Sequence, residues 1–232
     1  MDADLRAAAL EGGLYTIPTA ARLLATRNNK LRSWVEGYPS SDAKPILEPR
    51  LITLNIKPLL TFLDLIEAAW VSHFVRLGYS PQTIRKVANI LRDRTQFAHP
   101  FALKSEFLAD GKSIFEEIIS EDGERRLLDL MSKNFTMKPI VEQSLFDQIF
   151  YVEDVAAMFQ PSKQQRRVVL NPKVANGRPA IRDRWVPTRV LYEAFKAEDN
   201  DADAVADEFG VEVEDVEEAV AFERGLREQV LH

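Results

Sequence analysis

The sequence contains no cysteine, which excludes a disulfide framework and any zinc site built on cysteine ligands. Histidine is nearly as scarce, and the three residues are His73, His99 and the terminal His232. His73 lies in the apolar run AWVSHFV, where a partly buried histidine is more common than a general base. The sequence also lacks a glycine-rich phosphate loop, a nucleophile elbow and a metal-ligand pair. We therefore expect a protein that is not an enzyme and that uses no cofactor or metal.

Long hydrophobic runs and an excess of positive charge are absent as well. No apolar run reaches the roughly 18 residues that span a bilayer, and the opening MDADLRAAALEGG lacks the basic and apolar regions of a signal peptide. The formal net charge is −6, from 30 basic and 36 acidic residues, which excludes a uniformly basic surface for nucleic acid. The 232 residues, 46% of them hydrophobic, can form one or two globular domains. We expect a cytoplasmic protein without a membrane segment.

The apolar periodicity and the turn residues predict an α+β fold that is mainly α-helical. It divides into three parts: a winged helix-turn-helix head at residues 1–100, a middle region with a β-hairpin and a linker at 101–165, and a three-helix, helix-turn-helix-like domain at 166–232.

In the head, the apolar spacing of GLYTIPTAARLLATRNNKLRSWVEGYP predicts two short helices joined by a tight turn. The segment KPILEPRLITLN predicts an extended hairpin, which would be the wing. A helix is predicted over residues 59–77, closed by Gly78. The next helix is predicted to begin with Ser80 as its N-cap and Pro81 in its first turn.

Beyond the head, Asp110 and Gly111 lie between two apolar segments and predict a β-hairpin. ERRLLDLMSKNF predicts a helix, whereas residues 137–159 fit either a strand or a short helix. After the linker QPSKQQRR, the sequence predicts a strand at RVVLNP and an extended segment within NGRPAIRDRWVPT. Helices are then predicted at residues 188–197, 203–209 and 213–228.

Two segments have the spacing of a helix-turn-helix: a small residue in the first helix, another in the turn four positions later, and apolar residues that seal the pair. These places hold Ala21, Ala25, Leu31 and Trp34 in the first segment, and Ala206, Gly210, Val216 and Val220 in the second.

The two helix-turn-helix units differ in the sign of their charge. Residues 22–36 contain four basic side chains and one acidic side chain, whereas residues 203–218 contain eight acidic side chains and no basic one. Affinity for DNA comes largely from Lys and Arg displacing counterions, so the acidic unit would be repelled. We expect the acidic unit to pack against protein, either a second copy or another polypeptide. A merely solvated helix face is the alternative.

The stretch TRNNK at the start of the second head helix is the strongest functional signal. Arginine suits guanine, asparagine suits adenine, and lysine or arginine suits phosphate. The alternative is an exposed turn, because asparagine is common in turns. The predicted contacts with double-stranded operator DNA are Arg22, Thr26, Arg27, Asn28, Asn29, Lys30, Arg32 and, in the wing, Arg50.

Residues 14–94 resemble the winged-helix head of MerR-type regulators. In YTIPTAARLLATRNNKLRSWVE, a Tyr-Thr-Ile segment leads into a helix-turn-helix that ends in Leu-Arg-x-Trp, and RLGYSPQTIRKV resembles a later segment of that family. The sequence departs from the family where the basic wing should be, and the long dimerising coiled coil is not evident.

Residues 167–228 resemble the small helix-turn-helix domain of VapB-like antitoxins encoded beside PIN-type ribonuclease toxins. That family's usual run is Gly-Lys-Pro-x-Ile-x-Gly-Thr-Arg-Ile-Pro. The run is kept here at Gly177, Arg178, Pro179, Ile181, Val186 and Pro187. Asp183, Arg184 and Trp185 replace its Gly-Thr-Arg part.

Together the resemblances imply an antitoxin of a type II pair, which binds its operator as a homodimer and neutralises a PIN-type ribonuclease. Such ribonucleases hold metal ions in a carboxylate cluster, which an inhibitor can cover or enter with an arginine. The candidate toxin-binding residues are Arg178, Arg182 and Arg184, which could instead pair locally with Asp183 or glutamates. A stand-alone MerR-like regulator that binds a small effector within residues 101–160 is the alternative function.

Overall fold

The computed structural model describes residues 12–37, 44–47, 58–104 and 145–228. Several predicted features lie outside these residues: most of the wing with Arg50, the hairpin at Asp110 and Gly111, and the helix over ERRLLDLMSKNF.

The described residues form seven α-helices and six short strands, which confirms the predicted α+β, mainly α-helical class. The helices are α1 (Ile17–Leu23), α2 (Asn28–Glu36), α3 (Phe62–Arg76), α4 (Pro81–Thr95), α5 (Thr188–Ala197), α6 (Ala202–Phe209) and α7 (Val213–Glu228). The strands are β1 (Tyr15–Thr16), β2 (Leu59–Leu60), β3 (Ile149–Val152), β4 (Val155–Phe159), β5 (Val168–Leu170) and β6 (Pro179–Ile181). None of these helices combines the length and the apolar character that crossing a membrane requires.

The head contains the two predicted helices, α1 and α2, which meet at a tight turn. In this turn Ala25 takes a left-handed conformation with φ 47°, and the amide of Thr26 donates to the carbonyl of Ala21 at 2.9 Å. Ala21, Leu31 and Trp34 are buried where the helices cross. The spacing of small and apolar residues therefore predicted this unit correctly.

The third helix begins later than predicted. The sequence indicated a helix from about residue 59, but the two leucines there form β2, because β1 lies beside them as an antiparallel partner. Thr61 then caps α3, since its hydroxyl accepts from the amide of Asp64 at 3.2 Å while the Asp64 carboxylate accepts from the Thr61 amide at 2.8 Å. The predicted N-cap at Ser80, with Pro81 in the first turn of α4, is confirmed.

The C-terminal part is a four-stranded antiparallel sheet in the order β3-β4-β5-β6. Helices α5 and α7 pack against β6, and α6 packs against both helices. The sequence did not decide between strand and short helix for residues 137–159. Most of residues 149–159 form the β3–β4 hairpin. Phe159 of β4 is paired with Leu170 of β5. The sheet therefore continues across residue 165, where the sequence placed a boundary, and the division into domains stays a prediction.

The three C-terminal helices match the predicted ranges closely. Gly210 ends α6 in a left-handed conformation with φ 62°, which glycine adopts without steric cost. Ala206, Val216 and Val220 are buried between the helices, as the second helix-turn-helix spacing predicted.

The head and the C-terminal part meet at a junction of three glycines and one tyrosine. The Tyr15 hydroxyl donates to the carbonyl of Gly177 at 2.7 Å. Gly12, Gly13 and Gly177 have φ of 75°, 73° and 72°, a region that favours glycine. A Cβ atom on Gly12 would overlap the carbonyl oxygen of Pro172. Burial at this junction raises the pKa of the Tyr15 hydroxyl above its ordinary value.

Candidate functional site

The start of α2 presents a group of exposed polar side chains. Arg27, Asn28, Asn29 and Lys30 are all exposed, on the first turn of the helix and its N-cap. The Arg27 side chain makes no capping hydrogen bond, and no ion pair holds it within the part of the chain that the structure describes. These four side chains can therefore reach a ligand that approaches the amino end of α2.

The remaining head candidates differ in how accessible they are. Arg32 is exposed and lies 3.8 Å from Glu36 in an i,i+4 pair whose side chains are half exposed, which is a weak interaction in water. Arg22 and Thr26 are only partly exposed. The structure thus places Arg32 beside the exposed group and leaves Arg22 and Thr26 at its margin.

A buried ion-pair cluster lies next to the segment that hydrogen-bonds to α2. The amide of Ile46 donates to the carbonyl of Trp34 in α2 at 2.9 Å. Arg92 of α4 donates to the Ile46 carbonyl at 3.2 Å and lies 3.8 Å from the Glu67 carboxylate. The same carboxylate lies 3.4 Å from Nδ1 of His99. The cluster therefore ties the segment behind α2 to the helices α3 and α4.

The acidic start of α7 has a partner within the same chain. Nη1 of Arg167 donates to Glu212 at 2.6 Å and to Asp215 at 2.9 Å, and its backbone amide donates to Glu218 at 2.7 Å. The hydrogen bonds to Asp215 and then to Glu212 raise the pKa of the Arg167 guanidinium. The sequence predicted a second copy or another polypeptide as the partner of this acidic unit, which stays a prediction, and it did not indicate that Arg167 binds these carboxylates. The signal that could have found it was an arginine at the start of the predicted strand RVVLNP.

An open cleft lies beside these ion pairs. It has a volume of about 410 Å³, and its lining residues are Arg166, Arg167, Arg182, Asp183, Arg184, Glu212 and Asp215. The predicted toxin-binding residues Arg182 and Arg184 thus come together in this cleft, which we call the arginine cleft. Arg178 does not line it, because it precedes β6 whereas Arg182 follows β6.

A tight turn after β6 positions the cleft arginines. The amide of Trp185 donates to the carbonyl of Ile181 at 2.8 Å, and Asp183 and Trp185 have φ of 68° and 59°. The Arg182 guanidinium carbon lies 4.1 Å from the centre of the Phe150 ring, a cation–π geometry that fixes this side chain. Arg184 is exposed, and Trp185 beside it is 36% exposed.

The comparisons with known proteins agree with this architecture. Residues 168–222 match the model of a family described as "Protein of unknown function (DUF433)", and this match includes Arg178, Arg182 and Arg184. The chain is also similar to the X-ray crystal structure of Rv2018 from Mycobacterium tuberculosis, with a TM-score of 0.71. The two share 24% sequence identity, over 89% of this chain and 96% of that chain, which shows a common fold. No curated protein matches the chain.

Proposed function

We propose that this chain is an operator-binding antitoxin, in which the head binds double-stranded DNA and the C-terminal part binds a PIN-type ribonuclease. The observation that supports DNA binding most directly is the difference between the two helix-turn-helix units. The start of α2 is exposed and basic, and Arg27 has no ion pair among the described residues. The start of α7 is acidic, and its carboxylates hold Arg167.

The head has the physical properties that a DNA-reading unit needs. A recognition helix places the side chains of its first turn against base edges in the major groove, and Asn28 and Asn29 occupy such positions. Arg27, Lys30 and Arg32 add positive charge that releases counterions from the duplex. Two copies on adjacent half-sites would double the phosphate contacts, which is why a homodimer is part of the proposal.

The antitoxin function draws on the resemblance to VapB-like antitoxins and on the exposure of Arg178 and Arg184. An exposed guanidinium can enter a carboxylate cluster and form paired, charge-assisted hydrogen bonds there. Arg182 is less suited to entering a partner's site, because it is only partly exposed. We therefore assign the toxin contacts chiefly to Arg178 and Arg184.

DNA binding is tested by the double substitution Arg27→Ala with Lys30→Ala. The loss of two phosphate contacts per head, four in the proposed homodimer, should lower the slope of log K against log salt by about 3.6. Lys163→Ala with Arg189→Ala is the matched control, since both residues are exposed in the C-terminal part and the charge change is equal. Mobility shifts over a salt series measure the slope, and circular dichroism monitors the helix content. An unchanged slope in the head variant contradicts the proposal.

Toxin binding is tested by co-expressing the full chain with a PIN-type ribonuclease from the adjacent reading frame. We expect the pair to co-elute in size-exclusion chromatography and the antitoxin to restore growth. Arg178→Ala with Arg184→Ala should abolish both effects, whereas Lys163→Ala with Arg189→Ala should preserve them. If the Arg178 and Arg184 double variant still restored growth, these two arginines would not be the toxin-binding residues.

A regulator that responds to a small effector is the second candidate function. The sequence placed the effector site within residues 101–160, of which 105–144 lie outside the described residues. The observation that favours this candidate is the arginine cleft, which is a concave site of the size that small ligands occupy.

A further inference from the structure

We infer that the arginine cleft binds a small polyphosphate anion, such as the phosphate chain of a nucleotide or a free polyphosphate. Its volume of about 410 Å³ falls within the range of small-molecule sites, roughly 300 to 1,000 Å³. Four arginines and three carboxylates line it. This inference names a ligand class for the second candidate function, and it shares Arg184 with the proposed toxin contacts.

The arrangement of two of these arginines opposes the stability of the sheet. The amide of Arg182 donates to the carbonyl of Arg167 at 2.7 Å, continuing the register in which Val168 faces Ile181. Arg167 and Arg182 therefore lie directly opposite each other on neighbouring chain segments. Like charges in such a cross-strand position are destabilising. The carboxylates of Glu212 and Asp215 offset this repulsion at Arg167, and a ligand that accepts from Arg182 would offset it further.

The surroundings fix these two guanidinium groups, and Arg182 keeps its positive charge for a ligand. Arg167 is held by the carboxylates of Glu212 and Asp215, and Arg182 is stacked on Phe150 at 4.1 Å. Groups that are already ordered lose little entropy on binding, which strengthens recognition. The stacking leaves the N–H edges of Arg182 available, because a cation–π contact uses the face of the group.

The two other arginines of the cleft supply exposed positive charge. Arg166 and Arg184 are exposed, and neither has an ion pair within the described residues. Four arginines and three carboxylates give the lining a net formal charge of +1. Arg167 holds two of these carboxylates, those of Glu212 and Asp215, and the third is Asp183. A guanidinium group is planar and presents paired N–H donors. Several such groups around one cleft bind a phosphate chain, whose oxygens point in several directions, better than they bind a single carboxylate.

The test is isothermal titration of the full chain with inorganic tripolyphosphate at low salt. Binding should also change the fluorescence of Trp185, since Trp34 and Trp70 are fully buried whereas Trp185 is exposed next to Arg184. Arg182→Gln and Arg184→Gln should each weaken binding by roughly tenfold or more, as expected for a lost hydrogen bond between charged groups. Arg182→Lys keeps the positive charge but removes the planar guanidinium donors, so it should also weaken tripolyphosphate binding.

Two variants with equal loss of charge serve as controls. Arg189→Gln, exposed on α5 outside the cleft, and Arg27→Gln, at the start of α2, should both bind tripolyphosphate as the unmodified chain does. Thermal unfolding confirms that every variant is folded. The cleft variants should retain DNA binding in mobility shifts, so that this inference and the DNA-binding proposal can fail separately.

Three results would overturn the inference. The first is the absence of both heat and a Trp185 fluorescence change at millimolar tripolyphosphate. The second is an equal loss of affinity in the Arg189 or Arg27 control, which would show binding to positive charge in general. The third is equally tight binding of citrate, which would make the cleft a site for carboxylates, including an acidic segment of a partner protein.

Discussion

The junction between the head and the C-terminal part can be tested by Gly177→Ala. A Cβ atom at this position would lie 2.5 Å from the Tyr15 hydroxyl oxygen and 2.6 Å from the Cα atom of Gly13. Both distances are shorter than van der Waals contact allows. The neighbour at 2.6 Å is backbone and cannot rotate away, so the head and the loop before β6 would have to separate. The substitution therefore perturbs the contact between the two parts.

The size of the effect follows from two contributions. An alanine in the left-handed region, here at φ 72°, costs about 1–2 kcal/mol. Overpacking of a closed contact adds about 1–3 kcal/mol. We expect the free energy of unfolding to fall by about 2–5 kcal/mol. Tyr15→Phe in the same chain should recover only part of this loss, because the overlap with the Gly13 backbone remains.

Gly210→Ala is the matched control. Gly210 also has positive φ, of 62°, but a Cβ atom there would meet no atom within 4 Å. This control should lose only the conformational contribution of about 1–2 kcal/mol. Urea unfolding followed by circular dichroism gives both free energies. Equal losses in the two variants would show that the junction is open in solution, and the reasoning about the glycines would be wrong.

Three further predictions concern buried polar groups. Because burial raises the pKa of Tyr15, its contribution to stability is present below its ordinary pKa of about 10 and is lost as pH rises above it. Alkaline urea titrations of Tyr15→Phe should therefore show a shallower loss of stability, by up to about 1.4 kcal/mol per pH unit, and an unchanged slope contradicts this. Thr188→Val removes the hydroxyl that donates to Glu223 at 2.6 Å and should cost about 1–3 kcal/mol in thermal unfolding, whereas Thr188→Ser should retain most of the stability. Arg167→Met leaves the buried Asp215 carboxylate without its cation and should cost about 1–3 kcal/mol at neutral pH. An unchanged unfolding temperature would contradict the role of the ion pair.

Local patterns predicted the helices well because each signal acts within a few residues. The small residue Ala21, the N-cap Ser80 and the helix-ending Gly210 all act on the backbone beside them, and the structure confirms each one. The start of α3 was predicted wrongly, because the local capping box of Thr61 and Asp64 was overlooked and because residues 59–60 pair with a strand more than forty residues earlier. Pairing between distant segments leaves no periodic signal in the sequence.

The candidate site was predictable only in part for the same reason. The exposed group at the start of α2 follows from one continuous stretch of sequence. The arginine cleft, in contrast, combines Arg166 and Arg167, the turn at Arg182 and Arg184, and Glu212 from before α7. Nothing in the local sequence indicates that Arg167 meets carboxylates 45 and 48 positions away. Their acidic character was visible in the sequence, but their partner could be identified only in the folded chain.

The hydrogen bond from Tyr15 to Gly177 joins positions 162 residues apart. During synthesis the head leaves the ribosome first, and at roughly 5–20 residues per second its acceptor follows on the order of ten seconds or more later. Until then Tyr15 lacks the acceptor that it uses in the folded chain. A polypeptide cut short before residue 177 therefore cannot form this contact between the head and the C-terminal part.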